Sequence, residues 1–388
     1  MKDIVSLPQG RPVGIFVHHQ GRGHAERVAA LANALPDSRP VRLFSARRDI
    51  FPPLREGVEV TVIPSLFERP EGADADMDWV ATPETLHCAP IGWHTIRESM
   101  AILTDWFRTA DPALMIVDVS AEVAQLCRIC SVPHVKVVQH GDRSDPGHRA
   151  AYDGAAGLLV PFHERLAQPL WDAAMKSRMH FAPGLGVPLA MPPQAEARRR
   201  LNLAEGRRTA VVLTGGGGNG LSEAPLGVAA RTFPDIDWVV LGRVQGDWHA
   251  TLPANLRLLG WVDGAEDWIA AADLVIASTG NTTCHQILAA ARPWIAVPEW
   301  RYFDEQVCKA EALAAAGAAL HLPHLPASAH RWREAVDAVL SAHDPKTQRR
   351  LAGDPEAASR AADWIESLID RLWTPNAALQ PRPERMPT

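Results

Sequence analysis

A short segment near the start of the chain combines glycine, histidine and arginine at a spacing that could support proton transfer. The apolar run "VGIFV" leads into "HHQGRGHAER", in which Gly21 and Gly23 precede His24 and Arg27. The glycines allow a tight turn and the close approach of a ligand, and a helix beginning near His24 directs free N–H groups towards it. The same helix dipole favours the neutral imidazole, which can accept a proton. We therefore predict an anion-binding loop with His24 as candidate general base, or else as a simple helix cap.

Other polar residues that follow predicted strands compete for the same role. Asp118 and Glu122 lie in "VDVSAE", and His140 and Asp142 lie in "QHGDRSD". A carboxylate at such a place could activate a hydroxyl directly or orient His24. Helix capping or a surface turn is the alternative for each of them. His24, Asp118 and Glu122 are our candidate catalytic residues.

Two further glycine-containing loops also follow apolar strands. "TGGGGNG" at 214–220 satisfies the GxGxxG spacing, but the next strand ends in Arg243 instead of the acid that binds a ribose, so an NADP site is only an alternative. "STGNTT" at 278–283 opens a helix with Asn and Thr, whose amides and hydroxyls suit a phosphate or diphosphate. No Gly-Lys-Ser/Thr sequence follows either loop, which excludes a Walker loop.

The elements that must position these loops are alternating strands and helices. Six apolar runs precede residue 181 and five follow residue 208, a pattern typical of parallel sheets covered by helices. The stretch 181–194, rich in Pro and Gly, is a predicted linker, and the acidic segment 65–92 is a predicted long functional or disordered loop. We expect an α/β protein with two facing Rossmann-like, doubly wound domains and a cleft between them. The predicted units are a first domain at 1–183, a second domain at 184–354, a helix at 355–373 packing back on the first domain, and a disordered tail at 374–388.

Composition restricts the class of partner. The 388 residues are 47% hydrophobic and carry a formal net charge of -6, which argues against binding to nucleic acid. The first residues lack the pattern of a signal peptide, and no apolar run reaches the length of a spanning helix. The five cysteines, an odd number, suit free thiols, and the CxxC at Cys127 and Cys130 lacks the second pair that a zinc site requires. We expect a cytoplasmic protein, free or peripheral at the inner membrane face, with no cofactor and no metal.

Several segments between about 209 and 320 occur in an order shared with one enzyme family. The segments "VVLTGGGGNG", "LLGWVDGAEDWIAAADLVIASTGNTTCHQILAAARPWIAVP" and "FDEQVCKAEALAAAGAAL", with "GRGHAER" upstream, resemble the two-domain (GT-B) glycosyltransferases. The specific resemblance is to the group of the lipid-linked N-acetylglucosaminyltransferase of peptidoglycan synthesis, with a family 28-like C-terminal domain.

This resemblance implies a role for each matching position. It implies an acceptor-binding domain at 1–183 and a nucleotide-sugar-binding domain at 184–354. It further implies a nucleotide-base contact at Trp261 and the Val262 backbone, a diphosphate loop at 279–282, the donor-sugar pair Glu305 and Gln306, and a ribose contact at Gln286, where the family usually has Glu. It also places His24 at the histidine of the family's first glycine loop. The candidate substrate-binding residues are Gly21, Gly23, Arg27, Gly216, Gly217, Trp261, Val262, Thr279, Gly280, Asn281, Thr282, Gln286, Glu305 and Gln306.

The function that these features predict is inverting transfer of a sugar from a nucleoside diphosphate donor, UDP-linked by preference, to an acceptor hydroxyl. We expect no metal, since no DxD pair is placed at a strand end to hold one, and the acceptor is either lipid-linked or a small metabolite. The opening "GxGHxxR" also resembles nucleotide-sugar hydrolases of the same fold, which makes hydrolysis the alternative. A non-catalytic nucleotide-sugar-binding protein is the third alternative, because Gln286 departs from the family pattern, and an NADP dehydrogenase is the fourth.

Overall fold

The chain folds around two parallel sheets, and both follow one pattern of strand order. The computed structural model describes residues 10–73, 77, 79–214, 220–246 and 251–374. The first sheet has the order β3-β2-β1-β4-β5-β6-β7. Its strands are β1 Val13–Phe16, β2 Val41–Ser45, β3 Val58–Val62, β4 Leu114–Val117, β5 His134–Val137, β6 Gly157–Val160 and β7 Met179–Phe181.

The second sheet has the order β12-β10-β8-β13-β14-β15, which repeats the order of the first sheet's first six strands. A separate two-stranded parallel ribbon, β9 with β11, lies outside it. The strands are β8 Arg208–Leu213, β9 Leu221–Ser222, β10 Ile236–Leu241, β11 Val244–Gln245, β12 Leu256–Gly260, β13 Leu274–Ala277, β14 Trp294–Ala296 and β15 Leu320–His321. The predicted α/β class with two Rossmann-like sheets is confirmed.

Helices connect the strands and cover the sheets. The helices are α1 Arg22–Ala34, α2 His94–Ala110, α3 Ala121–Ile129, α4 Pro146–Gly154, α5 Ala173–Lys176, α6 Gln194–Arg200, α7 Glu223–Thr232, α8 Ala265–Ala271, α9 Asn281–Ala290, α10 Glu305–Ala315, α11 Ala329–Ala342, α12 Pro345–Ala352 and α13 Ala357–Trp373. Within the described ranges, none of these helices combines the length and apolar character needed to cross a bilayer.

The last helix, α13, packs against the first sheet although it follows the second sheet in the chain. Its buried face contributes Ala361, Ile365 and Ile369 to the core that contains β1, β2 and α1. The indole N–H of Trp373 donates to the carbonyl of Ala113 at 2.9 Å. The chain therefore passes from the first sheet to the second and then returns.

The strand order fixes where a ligand can bind. In each sheet the order reverses once, between β1 and β4 and between β8 and β13, and such a reversal opens a crevice at the carboxyl ends of the strands. His24 follows β1 and Asp118 follows β4, whereas the loops at 214–220 and 278–283 follow β8 and β13. The His24 loop, the turn with Asp118 and the loop that starts α9 thus lie at these two reversal points, whereas residues 215–219 lie outside the described residues.

Candidate functional site

The centre of the first crevice is a pair formed by His24 and Asp118. Gly21, with φ of 91°, ends the turn before α1 and brings His24 onto the first turn of that helix. His24 Nδ1 lies 2.6 Å from Asp118 Oδ2, and Arg27 Nη2 donates to Asp118 Oδ1 at 2.8 Å. Asp118 is fully buried. Of the four polar residues predicted to compete with or orient His24, Asp118 is the one that contacts it.

This contact decides which ring nitrogen of His24 is available. At 2.6 Å an ionised carboxylate and an unprotonated ring nitrogen would repel each other, so we assign the proton to Nδ1 of His24, facing Asp118 Oδ2. Arg27 Nη2 also lies 3.0 Å from Nδ1, but with a proton on both atoms this contact is not a hydrogen bond, and Nη2 donates to Asp118 Oδ1. Nε2 of His24 is left with a lone pair, the state that a general base requires.

The charges around this pair keep Asp118 ionised. Burial by itself would raise the pKa of Asp118, but His24, Arg27 and Lys136 together hold it well below its ordinary value. The neighbouring ring of His18 lies edge-on to His24, with centroids 5.5 Å apart. Burial lowers the pKa of His18 to about 4, so His18 is neutral at pH 7.

The other three candidates of the first sheet are engaged elsewhere. Glu122 accepts hydrogen bonds from the backbone N–H groups of His87 and Cys88 and from the hydroxyl of Ser120. His140 is fully buried with Nε2 2.8 Å from the carbonyl of Leu166, and Asp142 is exposed and accepts from Ser144. These contacts make Glu122 an anchor for the backbone at His87 and Cys88, and all of them are made to groups other than His24.

The second crevice presents a helix N-terminus to the first. Helix α9 begins at Asn281 after Gly280, and no side chain caps it, so its first N–H groups are free for an anion. A methyl group placed on Gly23 would lie 3.1 Å from the hydroxyl of Thr282. The loop carrying His24 and the start of α9 therefore meet across the cleft.

Thr279 and Gln306 support this loop from inside. Both are buried; Gln306 Oε1 accepts from the backbone N–H groups of Thr279 and Glu299, and the hydroxyl of Thr279 donates to the Gln306 carbonyl. Gln306 is thus occupied by backbone contacts in this structure. The neighbouring Glu305 instead points across the cleft, with Oε2 3.3 Å from Nη2 of Arg143.

Arg143 begins a chain of polar contacts that crosses the domains. Its Nη1 lies 2.9 Å from His148 Nε2, His148 Nδ1 lies 2.7 Å from one oxygen of Asp145, and His87 Nε2 lies 2.9 Å from the other. Phe303 packs edge-on against both histidines. The loop at 65–92 is thereby linked to Glu305, the residue that resemblance assigns to the donor sugar.

The same contacts bear on metal binding by His87, Asp145 and His148, whose ligand atoms lie within 4.8 Å of one another. The guanidinium of Arg143 can only donate, so Nε2 of His148 accepts and Nδ1 carries the proton that Asp145 receives. His148 and Asp145 thus form a hydrogen-bonded pair with His87 beside it, and a metal ion would have to displace the proton on Nδ1 of His148.

The remaining predicted donor residues line the second crevice less tightly. Trp261, in the loop after β12, leaves 70% of its surface exposed, so a wide aromatic face is available for a base. Val262 packs partly against the second core, and Gln286 is half-buried on α9. Gly216 and Gly217 lie outside the described residues.

A cavity of about 570 Å³ opens beside the His24 loop. It is lined by residues from the ends of β1, β2 and β3, among them His19, Gly21, Arg47 and Glu68. Gly21 also faces the ring of His24. Glu68 Oε1 accepts from Gln20 and lies 3.0 Å from His19 Nε2, and these hydrogen bonds lower the pKa of Glu68. The cavity is a candidate acceptor site of mixed polarity.

Sequence reasoning missed Lys136 and Arg143, although both are central to the structure. Lys136 on β5 is fully buried below Asp118, and burial lowers its pKa to about 7 against the opposing charge of Asp118. The signal was a lysine inside the apolar run "HVKVV", since lysine is almost never fully buried without a partner. Arg143 lay in a turn-like segment and gave no comparable signal.

Comparisons with known proteins support the resemblance drawn from the sequence. Residues 244–368 match the glycosyltransferase family 28 C-terminal domain. A curated relative from Rhizobium etli, a UDP-N-acetylglucosamine--N-acetylmuramyl-(pentapeptide) pyrophosphoryl-undecaprenol N-acetylglucosamine transferase, is 34% identical over 105 residues. That match covers 26% of this chain and 28% of the relative, so it spans less than a third of the curated protein's length.

Solved structures match over most of the chain. The MurG structure from Acinetobacter baumannii has a TM-score of 0.60 and 13% identity, covering 92% of this chain and 99% of that one. UGT2 of Phytolacca americana, complexed with UDP-2fluoro-glucose and pterostilbene, has a TM-score of 0.63 and 14% identity, covering 92% and 100%. The chain therefore has the two-domain GT-B fold of glycosyltransferases, and over residues 244–368 it matches the family 28 C-terminal domain.

Proposed function

We propose that this chain is an inverting glycosyltransferase of the hexosyl-transferring type. It would move a sugar from a nucleoside diphosphate donor, UDP-linked in the simplest case, to an acceptor hydroxyl. The observation that carries the proposal is the meeting of His24, oriented by Asp118, with the uncapped start of α9 at the contact of Gly23 with Thr282. A base and a diphosphate site on opposite sides of one cleft suit a direct displacement.

In the proposed step the acceptor hydroxyl gives its proton to Nε2 of His24 while its oxygen attacks the anomeric carbon. The bond from that carbon to the diphosphate oxygen breaks on the opposite face, which inverts the configuration. Asp118 stabilises the imidazolium that forms, and the N–H groups of Asn281 and Thr282 meet the charge developing on the diphosphate. Because α9 and its dipole supply this stabilisation, the step needs no metal.

The donor contacts follow the family resemblance. Trp261 would stack on the base, Gln286 would bind the ribose, and Glu305 would hold sugar hydroxyls after exchanging its contact with Arg143. Gln286 accepts one hydrogen bond and donates another, whereas a carboxylate accepts two, so we expect weaker ribose binding than the usual Glu provides.

The acceptor would occupy the cavity beside His19 and Glu68. A cavity of about 570 Å³ has room for an acceptor larger than water. We expect either a small metabolite or the head of a lipid-linked molecule, and no nucleic acid. The five free cysteines fit work in the reducing cytoplasm, free or at the inner membrane face.

The test is nucleotide release from UDP-, dTDP-, GDP- and ADP-sugars without an acceptor, together with thermal shifts by each free nucleotide. A selective shift with UDP and little release supports a transferase. Rapid formation of UDP and free sugar would favour the hydrolase, and a UDP shift without turnover on any acceptor would favour a binding protein. No response to any nucleotide would contradict both enzymatic functions, and loss of transfer in EDTA would contradict metal independence.

A further inference from the structure

The turn that carries Asp118 is strained. Asp118, Val119 and Ser120 form a three-residue turn in which the N–H of Ser120 donates to the carbonyl of Asp118 at 2.8 Å. Val119, at its centre, has φ of 62°. This is the rare form of the γ-turn, and a positive φ is a pronounced outlier for a β-branched residue. Such strain persists only where the surrounding structure enforces it.

The buried amino group of Lys136 contacts this turn. Lys136 pairs with Val117 in the register of β5 and β4, so its side chain reaches over the end of β4. Its Nζ donates to the carbonyl of Val119 at 2.9 Å, with the carbonyls of Val137 and Val117 at 3.4 and 3.5 Å. All three partners are main-chain oxygens, so the amino group of Lys136 binds the backbone at the end of β4.

A buried ammonium without a directly bonded carboxylate is costly, and an apolar side chain would pack there at lower cost. The residues within its electrostatic reach are Asp118, Glu122, Arg27 and Arg143. Asp118 is the nearest to the chemistry, because it holds His24 Nδ1 at 2.6 Å. The free-energy cost of burying Lys136 is therefore best explained by the orientation that the turn gives to Asp118.

We propose that Lys136 is a positioning residue, which clamps the carbonyl of Val119 and thereby holds the strained turn that directs Asp118 at His24. The effect of Lys136 on the reaction rests on the proposed function, because it requires His24 to be the base. The effect of Lys136 on the His24–Asp118 pair is independent of that function, because the pair exists without substrate.

The experiment compares four proteins: the native chain, Lys136→Met, Val119→Gly and the double variant. Glycine adopts a positive φ without strain, so the turn in Val119→Gly no longer needs the clamp. The first measurement is the tautomer of His24 from imidazole nitrogen chemical shifts, assigned with His24→Gln. Lys309→Met, which removes another buried lysine on α10, is the matched control.

We expect the Nδ1–H tautomer of His24 in the native chain, in Val119→Gly and in Lys309→Met. Lys136→Met should mix the two tautomers, and the double variant should recover most of the native signal. A native tautomer in folded Lys136→Met would overturn the proposal. An equal loss of the Nδ1–H tautomer in Lys136→Met and in the double variant would show that strain at Val119 has no role. If Lys136→Met does not fold, Lys136→Gln, which keeps a neutral donor, takes its place.

Kinetics provide the second measurement wherever a donor is turned over. Lys136→Met should lower kcat by about 10- to 100-fold with an unchanged KM for the donor, because a misdirected base affects the step and not the binding. A rise in KM alone would contradict the positioning role. If the native chain turns over no nucleotide sugar, the proposed function fails while the tautomer measurement still decides the role of Lys136.

Discussion

At the scale of single residues, the chemistry depends on which nitrogen of His24 is free. The sequence indicated His24 and named Asp118 among four residues that could orient it, but spacing alone could not choose among them. The choice depends on strand order, because β1 and β4 become neighbours only when the sheet forms. The same is true of Lys136, whose reach to Val119 is set by the pairing of β5 with β4.

Replacing His24 tests its assignment as the base. His24→Gln removes the proton acceptor and leaves the helix start of α9 untouched, so kcat should fall by about 100-fold or more while donor affinity is retained. Steady-state kinetics and nucleotide titration measure the two quantities. His330→Gln, which changes an exposed histidine on α11, is the control. Equal losses of kcat and donor affinity would argue against a base.

At the scale of elements, the sequence predicted the strands well where they are long and apolar. Six runs in the first half and five in the second correspond to β1–β6, β8, β10 and β12–β14. The edge strands β7 and β15 and the ribbon of β9 with β11 were missed, because they are short and only partly buried, whereas the equally short β14 is fully buried and reads as an apolar run. Tertiary pairing, which sequence periodicity does not show, defines them.

A close contact between the 181–194 segment and α1 predicts a sharp effect of one glycine. Gly186 has φ of 75°, and a methyl group on it would lie 2.3 Å from the Cα of Arg27. Gly206 has φ of 74° with no atom within 4 Å of the same position, which makes it a matched control. Gly206→Ala should cost about 1–2 kcal/mol from the backbone alone.

Gly186→Ala must also displace α1, so its free energy of unfolding should fall by roughly 3 kcal/mol or more. Urea unfolding followed by tryptophan fluorescence measures both variants. Because Arg27 and His24 share the displaced turn, activity should be lost only in Gly186→Ala. Similar losses of stability in the two variants would show that the contact with Arg27 is not tight in solution.

At the scale of the whole molecule, Arg143 should govern how firmly the two sheets hold together near the site. Arg143→Gln breaks the ion pair with Glu305 and removes the donor to His148, so both the 298–304 loop and the segment around His87 should open more often. Amide hydrogen exchange measures this at both segments.

Arg149→Gln is the control for that measurement, since Arg149 pairs with Asp172 away from the cleft. Exchange in Arg149→Gln should match the native chain. If Arg143→Gln speeds exchange only at residues next to Arg143, and not at the 298–304 loop or around His87, the two segments are not linked through Arg143.

Buried histidines predict the response of stability to acid. Burial lowers the pKa of His18, His134, His148 and His285 from 6.5 to about 4. Between those values the unfolded chain binds protons that the folded chain does not, so stability rises with pH across this window and is lost as pH falls from about 6.5 to about 4.

Each such histidine contributes a slope of about 1.4 kcal/mol per pH unit. Urea unfolding at pH 7.5, 6.0 and 5.0 should therefore show a steep decline, and His134→Phe, far from the cleft, should make it shallower. Unfolding free energies that stay constant between pH 6.5 and 5.0 would contradict neutral burial of these side chains.

The return of α13 to the first sheet has a consequence for how the chain is made. Domains usually fold in the order in which they leave the ribosome. Here Ile365 and Ile369, which complete the core around β1 and β2, are synthesised only after every strand of the second sheet. During translation the first sheet must therefore wait with an uncovered apolar face, while the second can close earlier. The first sheet therefore completes its core only after the whole second sheet has been synthesised.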